Sequence, residues 1–66
     1  MKLTNRQQET LTFVKEYILL NGYPPTRQEI GTRFGITASS AHQRLWNMER
    51  KGVVSLLSTA RGIRVL

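Results

Sequence analysis

The sequence predicts a mainly α domain with a small β-hairpin: a winged helix-turn-helix of three helices and a two-stranded antiparallel wing, spanning residues 1–66. Three observations lead there. Apolar residues recur at helical spacing in three stretches. The second and third stretches are joined by a short turn, Gly35-Ile36-Thr37, the mark of a helix-turn-helix. After Gly52 the apolar period shortens to two, as a hairpin requires.

Thr4 opens the first helix. Thr4-Asn5-Arg6-Gln7 fits a capping box, with the Thr4 hydroxyl on the Gln7 amide and the Gln7 side chain reaching back. Leu11, Val14 and Ile18 share one face, with Phe13 and Tyr17 beside them. Asn21-Gly22 stops the helix, and Tyr23-Pro24-Pro25 is a stiff, extended connector. Tyr17 and Tyr23 are expected to bury their rings and expose their hydroxyls. A second capping box, Thr26-Arg27-Gln28-Glu29, opens a short helix that ends at Gly35. Ile30 and Phe34 form its inner face, and Gly31 allows a close crossing. The third helix begins near Thr37 to Ser39 and runs to about Lys51, with Ala41, Leu45 and Met48 inward. Two strands follow, one in which Val54 and Leu56 alternate with Ser55 and one in which Ile63 and Val65 alternate with Arg64 and Leu66, joined by Ser58-Thr59-Ala60-Arg61-Gly62.

Composition narrows the function. Ten Lys and Arg oppose four Glu and no Asp, a formal charge of +6. A small domain this basic suits a polyanion: nucleic acid, or less often an acidic membrane surface or acidic protein. Cysteine is absent and His42 is the single histidine, so neither disulfides nor a thiolate or His-rich metal site is expected. The longest apolar run, Tyr17 to Leu20, is far short of the roughly 20 residues that span a bilayer. The N-terminus has no signal-peptide core, so a cytoplasmic, nucleoid-associated protein is expected. An enzyme is not expected. Ser39 and His42 lie one turn apart, but no Asp exists to orient the imidazole and no phosphate-cradling Gly loop is present. No cofactor and no small-molecule substrate are implied.

The third helix carries the chemistry. At about 100° per residue, the face opposite Ala41, Leu45 and Met48 holds Ser39, Gln43, Trp46 and Arg50, with Ser40, His42 and Asn47 on its shoulders. Gln can bond an adenine edge in two places, Ser can donate or accept, and small residues permit close approach to a major groove. A helix-turn-helix inserts the N-terminal part of its second helix, so Ser39, Ser40, His42 and Gln43 are the base-reading candidates. The alternative is an ordinary solvated face. Arg6, Arg27, Arg50, Lys51 and Arg61 are phosphate-binding candidates, and Thr26 with Arg27 forms a phosphate clamp at a helix N-terminus. For each cation a plain solubility role competes. Trp46 stands out as a large aromatic on an exposed arc: it packs back on its neighbours, contacts a protein partner or stacks on nucleic acid.

Leu3-Thr4-x-Arg6-Gln7-Gln8-Glu9, Gly22-x-Pro24-Pro25-Thr26-Arg27-x-Glu29-Ile30, Arg50-Lys51-Gly52-Val53 and Arg61-Gly62-Ile63-Arg64 together resemble the N-terminal DNA-binding domain of the LexA repressor family. The resemblance runs along essentially the whole chain. It implies a winged helix-turn-helix that binds operator DNA and represses transcription, in that family within the SOS response. There the third helix reads the major groove and the wing reaches the adjacent minor groove. The family's base-reading positions match Ser39, Ser40, His42 and Gln43, with Thr37 at the entry.

Two departures are visible. The best-known members carry acidic side chains where His42 and Gln43 stand, so their operator does not transfer. Family members also continue into a C-terminal domain that dimerises and cleaves its own linker with a Ser-Lys pair. This sequence ends at Leu66, which suggests an excised domain or a small stand-alone relative without self-cleavage. A single module contacts one half-site, so weak binding or pairing of two copies on double-stranded DNA is expected. The competing function is a protein-interaction module, a decoy that pairs with a larger repressor or polymerase through Trp46 or the wing.

Overall fold

A computed structural model describes residues 2–59 and 61–66. Helices α1 (Asn5–Asn21), α2 (Arg27–Phe34) and α3 (Ala38–Arg50) precede strands β1 (Val54–Leu56) and β2 (Ile63–Val65). The order is that of a winged helix-turn-helix, mostly helical with one antiparallel hairpin.

Both capping boxes form. The Thr4 hydroxyl accepts from the Gln7 amide at 3.1 Å, and the Thr4 amide donates back to Gln7 Oε1 at 3.1 Å. Thr26 and Glu29 repeat the exchange at 3.0 and 2.8 Å. Each box satisfies two amides that a helix start otherwise leaves without partners. Gly22 closes α1 at φ +80°, a left-handed conformation in which a side chain would be strained. Pro24 and Pro25 then carry the chain to Thr26, with Pro25 buried.

The core is one cluster: Leu11 and Val14 from α1, Ile30 from α2, Ala41, Leu45 and Met48 from α3, and Val54 and Ile63 from the strands. The inward stripe expected of α3 is fully enclosed. Phe34 is half-buried at the core's edge and meets Phe13 edge-on with centroids 5.8 Å apart. Two polar residues of α1, Gln7 and Thr10, are buried beside the apolar ones. Thr10 Oγ1 donates to Arg6 O at 2.9 Å and accepts from Arg44 Nη1 at 3.1 Å, so its burial leaves no polar atom unsatisfied.

Gly31 permits the tight helix-turn-helix, but not through a helix crossing. A Cβ there would lie 2.5 Å from the Ile36 carbonyl oxygen and 3.2 Å from Thr37 C. The turn backbone itself folds onto α2, and the Ile36 amide donates to Gly31 O at 2.8 Å.

The wing pairs Val54 with Val65, Ser55 with Arg64 and Leu56 with Ile63. A hairpin this short does not stand alone in water. Helix side chains hold it: Glu49 Oε2 accepts from the Leu56 amide at 2.8 Å, and Arg27 Nη1 donates to Thr59 O at 3.2 Å. The Leu57 amide donates to Gly62 O at 2.7 Å and closes the loop. Ala60, part of the expected connection, lies outside the described residues. Among the described residues no helix is long and apolar enough to cross a membrane.

Candidate nucleic-acid interface

Thr37 caps α3. Its Oγ1 accepts from the Ser40 amide and donates to Ser40 Oγ, both at 3.0 Å. The cap starts the helix in register, so Ala41 points into the core while its neighbours point out. Thr37, Ser39, Ser40, His42 and Gln43 are all exposed, on the cap and the first six residues of one helix. The five base-reading candidates therefore form one outward polar surface. Each carries short donor and acceptor groups of the kind that can pair with base edges.

Trp46 continues that surface toward the helix C-terminus. It is 46% exposed, so half its surface packs back on the protein and half faces out. The Arg50 guanidinium lies over the indole at 5.2 Å from the ring centroid.

The cations among the phosphate-binding candidates divide into two groups. Arg6 and Arg50 are exposed, at the start of α1 and the end of α3. The others are tied to the fold. Arg27 is half-buried and reaches the wing. Lys51 Nζ donates to Gln7 Oε1 at 2.6 Å and to Lys2 O at 3.1 Å, joining the end of α3 to the start of α1.

Arg61, expected to offer its charge from the wing, turns its guanidinium inward instead. Nη1 donates to Glu29 Oε1 at 2.8 Å, to Pro24 O at 2.9 Å and to the Tyr17 hydroxyl at 3.4 Å. The Tyr23 ring lies beneath the guanidinium at 4.6 Å. The Tyr17 hydroxyl, expected to be exposed, donates to Glu29 Oε2 at 3.1 Å from a half-buried residue. Tyr23 likewise keeps its ring partly outside, at 46% exposure. The Thr26 amide and the Arg61 guanidinium hold the Glu29 carboxyl down at about 2, against an ordinary 4.5. Glu29 in return raises the Arg61 pKa. At the α2 N-terminus the capping box already occupies the Thr26 hydroxyl and the Thr26 and Glu29 amides, beside an ionised carboxylate. That narrows the phosphate clamp expected there to what Arg27 and the remaining amides can supply.

Arg44 was missed in the sequence. It sits half-buried between Thr10 and the Phe34 ring, 5.5 Å from the ring centroid. No local signal marks it, because its partner is 34 residues away. Glu49, which fixes the wing, is equally silent in the periodicity. Thr10 was findable: it lies three residues after Gln7 and four before Val14, on the buried face. Among the described residues no group of three or more His, Cys, Asp and Glu could hold a metal ion.

The family model of the LexA DNA binding domain matches residues 1–62. The LexA repressor of Leptothrix cholodnii is 48% identical over 66 residues, covering 97% of this chain and 29% of the relative. That of Albidiferax ferrireducens is 47% identical, covering 97% and 30%. That of Mannheimia succiniciproducens is 48% identical, covering 97% and 31%. The chain thus spans about three-tenths of the length of the curated relatives it matches.

Proposed function

The chain belongs to the LexA DNA-binding domain family, and from that premise we propose that it is a sequence-specific double-stranded DNA-binding module of a transcriptional repressor. The observation that carries this reading is the outward polar surface of α3, held in place by the enclosed Ala41, Leu45 and Met48. Thr37, Ser39, Ser40, His42 and Gln43 read base edges in the major groove, and the wing enters the neighbouring minor groove. Arg6, Arg27, Arg50 and Lys51 meet phosphates, with Thr26 presenting the α2 N-terminus. Arg61 serves the same face by holding the wing on Glu29 and turns only its exposed edge to a phosphate. His42 and Gln43 set an operator of their own, and two copies pair on it to reach useful affinity. The protein acts on the nucleoid in the cytoplasm.

Selection of bound duplexes from a random pool tests the reading. A recovered consensus that outcompetes random duplex at physiological salt supports it. Equal affinity for consensus and random duplex overturns sequence specificity, and no binding to either overturns the DNA reading.

A further inference from the structure

We propose that Trp46 and Arg50 form a single contact unit on the sugar-phosphate rim of the major groove, the indole against deoxyribose and the guanidinium on the adjoining phosphate. This rests on the reading of α3 given above and extends it to a side chain with no polar edge-reading role. Ser39, Gln43, Trp46 and Arg50 follow one another at spacings of three and four residues, so they line one stripe of α3. At about 1.5 Å per residue, Trp46 stands roughly 10 Å along the axis from Ser39. The major groove is about 12 Å wide. With the start of α3 at the bases, Trp46 therefore falls where the helix leaves the groove and meets its wall. Trp46 is 46% exposed, so part of a large, stiff aromatic surface is open to a partner.

The occupant follows from charge. Arg50 lies over the indole at 5.2 Å, so a cation and an apolar plate present themselves side by side. The chain carries +6 overall. A deoxyribose next to a phosphate offers the matching pair: an apolar ring and an anion. The arrangement costs little ordering on binding, because the stacked guanidinium already holds the indole in place.

Trp46 is the single tryptophan, so its emission, excited on the red edge, reports this contact alone. The chain is titrated with the selected duplex, and binding is followed in parallel by anisotropy of a labelled duplex. Acrylamide quenching of Trp46 should fall as the duplex binds. Trp46→Ala should weaken binding roughly tenfold, with Trp46→Phe restoring most of it. Arg50→Ala should reduce the slope of log affinity against log salt by about 0.9, one phosphate's worth. Circular dichroism confirms that each variant is folded. The proposal is overturned if the duplex binds while acrylamide access stays constant, or if Trp46→Ala binds within twofold of the parent. Acrylamide access that falls with protein concentration before DNA is added also overturns it, placing the indole against a second copy. Anisotropy that never changes overturns the DNA reading itself.

Discussion

Replacing Gly31 with alanine sets two effects against each other. A helical glycine costs about 1 kcal/mol relative to alanine, so Gly31→Ala on a free helix would stabilise by that amount. In this chain the new methyl would stand 2.5 Å from Ile36 O and 3.3 Å from Thr37 O. A comfortable separation is ~3.5 Å, so the turn must retreat by about 1 Å. It cannot do so freely, because Ile36 N is bonded to Gly31 O and Thr37 caps α3. Overpacking of this kind costs about 1–3 kcal/mol, and a disturbed cap adds about 1 kcal/mol. Less the helix gain, the net loss is about 1–3 kcal/mol. For a domain this small, that lowers Tm by roughly 4–24 °C. Thermal melts followed by far-ultraviolet circular dichroism measure it. Gly22→Ala is the control: nothing lies within 4 Å, and only the backbone at φ +80° objects. Both variants should melt earlier, but Gly31→Ala alone should also weaken duplex binding, because it displaces Thr37. A Tm at or above the parent's for Gly31→Ala would refute the close-turn reasoning.

Three further outcomes are expected. Leu45→Ala empties a fully buried position shared by α3 and the core, and urea unfolding should show a loss of about 2–5 kcal/mol. Glu49→Ala strands the Leu56 amide, which should cost about 1–3 kcal/mol and speed hydrogen exchange at Leu56 more than at Leu45. Glu29 is held at about 2 in the fold against an ordinary 4.5, so its contribution is fully present above the ordinary value and is lost as pH falls through about 2. Glu29→Gln retains a capping acceptor, as Gln7 shows in α1, and should flatten the fall of Tm between those limits. Parent and variant melting with the same acid dependence would remove Glu29 as the cause.

The helices were legible because their ends are local chemistry. Thr4 with Gln7 and Thr26 with Glu29 act across three residues, and such pairs can be read in any window of the sequence. The outward surface of α3 was legible for the same reason: Ala41, Leu45 and Met48 define its back at helical spacing. What holds the domain's parts to one another was not. Arg44 finds Thr10, Lys51 finds Gln7 and Arg61 finds Glu29 across 34, 44 and 32 residues. Periodicity carries no trace of such pairings, since each residue alone looks like a surface cation. Arg61 illustrates the consequence, because a charge on a hairpin suggests a phosphate until Glu29 and Pro24 are seen to face it. Gly31 suggests a close helix crossing in the sequence, whereas the atoms nearest it are those of the turn backbone.

The hairpin is stapled at fixed posts. Leu56 is clasped by Glu49, Leu57 by Gly62, and the guanidinium at 61 by the residues around α2. Between those posts Thr59 is pinned as well, its carbonyl accepting from Arg27 and from the Gly62 amide, and the crown before it is Ser58. New residues spliced in at that crown lengthen the flap while its hinges stay put. Reach along a target can thus be retuned in one place without rebuilding the body that carries it.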